Sequence, residues 1–122
     1  ALADLRHDLG KHARLPLALL GRDAPAAQVR EALAAGLLFT RRGPAGVRSA
    51  RRLWQDFRAE VGEALAGLPG WPRLQEAVQR ALDWEQQLAP GSPEVDRAAA
   101  EADLDALQAA LRALEAELAH AR

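Results

Sequence analysis

Residues 47–68 read VRSARRLWQDFRAEVGEALAGL. Val47, Ala50, Trp54, Phe57, Val61, Leu65 and Leu68 recur every three or four residues over about six turns, which places them on one face of an α-helix. Pro44 is suited to open this helix and Pro69-Gly70 to break it. Nowhere does the chain alternate Val, Thr and aromatic residues in the manner of a strand. The expected fold class is therefore all-α. The architecture is a compact antiparallel bundle of about five helices, filling a single domain over residues 1–122.

Toward the N-terminus, Asp23 is a suitable cap for a second helix, with Pro25 in its first turn. Val29, Leu33, Leu37 and Leu38 form its stripe. It ends near Arg41-Arg42, whose charges suit a helix C-terminus, with Gly43 beyond. The first helix runs from about Leu2 to Leu15, with Leu2, Leu5, Leu9 and His12 on its apolar stripe, followed by Leu19 or Leu20. Pro16 lacks a backbone donor and crowds the carbonyl of His12, so a kink or a stop with a short continuation is expected there. Toward the C-terminus, a fourth helix starts near Trp71-Pro72 and turns Leu74, Val78, Ala81, Leu82 and Leu88 inward. A loop follows, with Ser92 as cap and Pro93 at the first helical position. The fifth helix reaches about His120 and carries Leu104, Leu107, Leu111, Leu114 and Leu118 as a heptad-like seam. That seam could pack in its own bundle or on another chain.

Composition excludes several kinds of chemistry. With 122 residues and 49% hydrophobic content a modest core is within reach. Cysteine is absent, which removes disulfides, thiolate metal sites and thiol catalysis. The single lysine beside fifteen arginines has the look of a GC-rich coding sequence. No apolar run approaches the roughly 18 residues of a membrane span, and the opening residues do not resemble a signal peptide. A cytoplasmic protein without a membrane partner is the expectation. Net charge is −1, unevenly spread. Residues 1–60 hold 11 Lys+Arg against 6 Asp+Glu, a balance of +5, whereas residues 61–122 hold 5 against 11, a balance of −6. The two halves are expected to attract each other, within the fold or across a dimer.

One short motif looks chemical: Arg6-His7-Asp8-Leu9-Gly10-Lys11-His12. At about 100° per residue, His7 falls opposite the apolar stripe and faces solvent. Its helical neighbours are Ala3, Gly10, Lys11 and Arg14, so two small residues and two cations flank an exposed imidazole. Asp8 lies toward the flank. An unobstructed imidazole nitrogen can attack an aspartyl phosphate, and nearby cations stabilise the transferring phosphoryl group. A mid-helix glycine costs about 1 kcal/mol relative to alanine. Gly10 is therefore explained either by the close approach of a partner or by simple packing. His12, on the apolar stripe, reads as a buried and satisfied histidine.

Leu5-Arg6-His7-Asp8-Leu9 with the following His12 resembles the phosphoacceptor helix of sensor histidine kinases and related sporulation-type phosphotransferases. It also resembles histidine phosphotransfer domains, in which an exposed His is followed a turn later by Lys and Gly; here Gly10 precedes Lys11. The resemblance covers about eight residues. It implies that His7 accepts the phosphoryl group, Asp8 is its acidic neighbour and Lys11 contacts phosphate. Arg6, Gly10 and Arg14 complete the phosphate-binding or partner-binding face. The donor would be a response-regulator-like or other acidic protein in bacterial two-component-like signalling, since the chain is too short for an ATP-binding domain of its own. The same His7-Asp8-Leu9-Gly10-Lys11 run is similar to the metal-binding helix of HD-domain phosphohydrolases. That pattern needs an upstream His and a later acidic ligand. No His precedes His7, and His12, on the core side, and His120, at the far end, are the other candidates. As written the metal set is incomplete, so no metal and no cofactor are expected.

Other features carry less. Arg41, Arg42, Arg48, Arg51, Arg52 and Arg58 gather around the junction of the second and third helices. The overall acidic balance speaks against a dedicated nucleic-acid binder. Trp54 and Phe57 read as core, whereas Trp71 and Trp84 are candidates for partial exposure at a partner surface. Thr40, Ser49 and Ser92 are the only hydroxyl side chains and none adjoins a His, which disfavours a Ser-His triad. The sequence does not read as a conventional enzyme. A phosphotransfer-like signalling module is the leading expectation. The alternative is a non-enzymatic helical scaffold, self-associating as a homodimer through its C-terminal leucines.

Overall fold

Leu5, Leu9, Ala13 and Leu17 are all buried, yet in an α-helix each step of four overshoots a full turn by about 40°. Over three such steps a regular helix would swing the stripe by about 120°. The computed structural model, which describes residues 2–44, 46–89 and 94–120, shows how the chain avoids this. The first helix, α1 (residues 2–18), is α-helical over Leu2–Leu5, π-helical over Arg6–His12 and α-helical again over Ala13–Ala18. The wider i→i+5 turns hold Leu9 and Gly10 together on the core side. They also turn His12 out to solvent, correcting its expected place on the apolar stripe. Pro16 lies inside the helix without ending it. Its missing donor falls on the carbonyl of His12, the last π-helical residue, so proline and wide turn share one break in the α-ladder.

The second helix, α2 (Ala26–Leu38), starts after Pro25 rather than under an Asp23 cap. It crosses α1 at minimal distance: a Cβ on Gly36 would lie 1.9 Å from the Ala13 carbonyl oxygen. It stops at Leu38, and Arg41-Arg42 are not its last turn. They belong to a short antiparallel hairpin, β1 (Arg41–Gly43) and β2 (Gly46–Arg48), in register Arg41↔Arg48, Arg42↔Val47 and Gly43↔Gly46. Gly46 has φ 101°, which a side chain would strain. The third helix, α3 (Ala50–Leu65), therefore begins at Ser49, whose Oγ accepts from the Arg52 N–H at 3.2 Å, and not at Pro44. Val47, expected in the core, is 52% exposed on the hairpin.

The fourth helix, α4 (Gly70–Asp83), runs into a 3₁₀ turn over Trp84–Leu88. Its Trp71 is buried and tilted against Trp54, with ring centroids 5.6 Å apart, so it joins α3 to α4 instead of marking a surface. Trp84 is half-buried and donates from its indole N–H to Asp103 at 2.8 Å. The fifth helix, α5 (Arg97–His120), is capped by the Asp96 carboxylate, which accepts from the Ala99 N–H at 3.2 Å. The expected Ser92-Pro93 start lies outside the described residues.

The result is an all-α bundle with one small hairpin attached. α5 runs antiparallel to both α4 and α1. Arg6, Gly10 and Arg14 of α1 face Glu115, Leu111 and Asp105 of α5 in reverse order. Leu104, Leu107, Leu111 and Leu114 are fully buried in the chain's own core. The charge asymmetry is also used internally. Arg6–Glu115 at 2.8 Å, Arg14–Asp105, and Arg51–Glu85 at 3.1 Å join the basic half to the acidic half. Among the described residues no helix is long and apolar enough to cross a membrane.

Candidate functional site

In an α-helix, residues five apart point about 140° away from each other. Under i→i+5 bonding the fifth residue returns close to the first. The π-helical stretch of α1 spans Arg6 to His12, and it brings the His7 and His12 imidazoles together. Their centroids are 4.3 Å apart and their planes 25° from parallel. Both residues are exposed. His7 thus presents one ring face to His12 while the residue stays exposed.

The segment after α2 supplies the opposite wall. The buried Thr40 hydroxyl donates to the Gly36 carbonyl. This bond ties the chain down as it leaves the helix and fixes where Phe39, Arg41 and Arg42 emerge. Phe39 is 50% exposed. Arg41 reaches Asp8 of α1, Nη1 to Oδ2 at 3.3 Å. Together these walls enclose an open cleft of about 570 Å³, lined from α1 by His7, Asp8 and His12 and from the hairpin side by Phe39, Thr40, Arg41 and Arg42. A smaller depression of about 140 Å³ adjoins it through the shared Asp8–Arg41 pair. There Asp4, Asp56 and Glu60 surround Arg41 and Arg48.

The chain matches no protein-family model, no curated protein and no solved structure.

The six site residues expected from the sequence are divided by this geometry. His7 is exposed, as the helical spacing placed it. Asp8 is half-buried, and its carboxylate engages Arg41. Lys11 is exposed on the same π-helical turn but does not line the cleft. The other three are turned toward α5. Gly10 is buried, and a Cβ there would come within 3.2 Å of Leu111 Cδ1, so its smallness serves helix packing rather than the approach of a partner. Arg6 pairs with Glu115 and Arg14 with Asp105, which occupies both guanidinium groups. In their place the fold supplies His12, Phe39, Arg41 and Arg42. The signal that could have found the last two was Gly43-Pro44 followed by Gly46, a turn signature. Nothing in residue spacing marks the π-helical winding that moves His12.

Among the described residues no group of three or more His, Asp or Glu side chains is placed to hold a metal ion. The His-Asp pair of the HD-type pattern thus stands without a third ligand there. Among those residues Arg42 and Lys11 make no ion pair, whereas Arg41, Arg48, Arg51 and Arg52 each hold a carboxylate. The cleft therefore offers one uncommitted guanidinium and two imidazoles to an incoming anion. That donor set suits a phosphoryl group.

Proposed function

We propose that the chain is a phosphate-handling helical module whose phosphoryl acceptor is His7. One observation carries the reading: the exposed His7 ring is held against His12 on the wall of a cleft that also presents Arg41 and Arg42. An acceptor imidazole needs a free nitrogen edge, a fixed ring and cations beside the incoming phosphorus. Stacking restrains the ring without using its nitrogens. In the transfer step the lone-pair nitrogen of neutral His7 attacks the phosphorus of an aspartyl phosphate on a partner protein. An N–P bond forms, the P–O bond to the aspartyl group breaks, and the carboxylate leaves with the electron pair. The remaining ring N–H proton can pass to solvent. Arg42 and Arg41 line the same cleft and would meet the phosphoryl oxygens. Asp8 pairs with Arg41 and not with the imidazole, so it is given no part in orienting the ring.

The test is incubation with acetyl phosphate and with phosphorylated response regulators. An acid-labile label on His7, seen by mass spectrometry and absent from His7→Gln, supports the reading. Unlabelled protein across the panel removes it.

A second reading, a helical interaction protein without chemistry, is favoured by a different surface. Leu15 on α1 and Leu19 just past its end are 39% and 76% exposed. Of the α5 leucines, Leu104, Leu107, Leu111 and Leu114 are committed to the core and Leu118 is partly buried. If association exists, Leu19→Arg abolishes it in sedimentation equilibrium and leaves His7 labelling intact.

A further inference from the structure

We infer that the cleft between the π-helical turn of α1 and the hairpin takes a nucleoside monophosphate, its phosphate on Arg42 and its base on Phe39. The inference rests on the phosphate-handling reading and goes further by naming a small molecule that the same anion site takes, as a ligand and not as the phosphoryl donor. A phosphate ion alone leaves most of a cleft of about 570 Å³ empty, whereas pockets of roughly 300–1,000 Å³ suit whole small molecules. Phe39 sits at this cleft half-exposed. Its ring directly precedes Thr40, whose bond to Gly36 holds the backbone on that side. The paired imidazoles line the same cleft. Aromatic faces bind nucleobases by stacking with little regard to base identity, and a guanidinium meets phosphate with two parallel donors.

The same cleft argues against a long strand. Asp8 lies in its wall, and Asp4, Asp56 and Glu60 line the adjoining depression. Successive phosphates of a polymer would meet these carboxylates. A single terminal phosphate beside Arg42 avoids them.

The experiment is calorimetric titration of the full chain with AMP, UMP, ribose 5-phosphate, inorganic phosphate and a ten-nucleotide single strand. AMP is expected to bind about tenfold or more tightly than ribose 5-phosphate, the gap that stacking of one base supplies. Phe39→Ala removes that gap and Phe39→Trp keeps it. Arg42→Gln weakens AMP, ribose 5-phosphate and phosphate alike. Circular dichroism checks that each variant is folded, which the exposure of both side chains favours. AMP binding no tighter than ribose 5-phosphate overturns the inference and leaves the phosphate-handling reading standing. Silence from every phosphate-bearing probe, together with an unlabelled His7, removes both. A strand that binds far more tightly per site than AMP overturns the monophosphate assignment in favour of a polymer.

Discussion

Along α5, Leu104, Leu107, Leu111 and Leu114 are fully buried, and burial is the main determinant of how the helix lies. Along the hairpin every described residue from Arg41 to Arg48 is exposed, and burial decides nothing. A two-stranded ribbon is marginal by itself in water. This one is held from outside: Arg41 by Asp8, Arg48 by Asp56 at 3.4 Å, and the chain entering it by the Thr40–Gly36 bond. Truncating a buried leucine costs about 2–5 kcal/mol, whereas an exposed ion pair contributes about 0–1 kcal/mol. The bundle and the ribbon are therefore separable. Damage to the first lowers stability, and damage to the second alters the cleft while the protein stays folded.

The sharpest way to break this contrast is at the crossing of α1 and α2. A Cβ on Gly36 meets the Ala13 backbone oxygen at 1.9 Å, and backbone cannot swing aside as a side chain can. Gly36→Ala is expected to cost about 3 kcal/mol or more, despite the better helix propensity of alanine. Leu107→Ala should lose about 3 kcal/mol through its cavity. Urea denaturation measures both. A Gly36→Ala protein with an unchanged midpoint means that the two helices do not cross as described. The contrast with Gly10→Ala is informative. There the nearest atom is the flexible Leu111 Cδ1 at 3.2 Å, and a propensity gain of about 1 kcal/mol offsets the crowding.

Next in size is Arg97. Its guanidinium donates to the carbonyls of Leu20 at 2.9 Å, Leu17 at 3.3 Å and Gly21, and it pairs with Glu101 at 2.8 Å. These carbonyls lie at and just beyond the C-terminal end of α1; those of Leu17 and Gly21 also accept from the Leu20 and Ala24 N–H groups. Arg97→Met keeps most of the apolar stem and removes the donors. The expected loss is about 2 kcal/mol, since hydrogen bonds from a charged donor are at the strong end of the range. Hydrogen exchange should show faster opening of the last turn of α1, with little change in α4. Unaltered protection there would mean that water caps those carbonyls equally well.

How much of this could be read in advance follows the same division. The stripes of α3, α4 and α5 obey the 3.6-residue period, and Trp54, Leu74, Val78, Leu107 and Leu111 are buried where that period places them. The hairpin was not legible because Arg42 and Val47, exposed on a two-stranded ribbon, carry no hydrophobic pattern. Pro44 was equally well suited to start a helix. The π-helical turn was not legible because its cause is tertiary. Gly10 must pack on Leu111 while Leu5, Leu9, Ala13 and Leu17 stay on one face. Arg6 and Arg14 fit an exposed cationic row equally well until Glu115 and Asp105 are placed across from them. What escaped the periodic reading includes both walls of the cleft, His12 on the π-helical turn and Arg41-Arg42 on the hairpin.

The smallest expected effect on stability belongs to Asp8, and it bears most directly on the separation of frame and site. Its partner Arg41 is 53% exposed at the side chain and the contact is 3.3 Å, so Asp8→Asn should move stability by less than about 1 kcal/mol. Its effect on anions has two parts of opposite sign. Loss of the carboxylate removes a negative charge from the cleft wall, which favours an anion. It also frees Arg41 to wander, which disfavours one. A long contact on a half-exposed arginine gives little orientation to lose, so the charge effect should win. Inorganic phosphate should bind Asp8→Asn about threefold more tightly at low salt. That gain should fade by about 0.5 M salt, where screening shortens to a few ångströms. Weaker binding at every salt concentration would show instead that Asp8 aims Arg41, and the ribbon would then be an organised part of the site rather than a loosely tethered one.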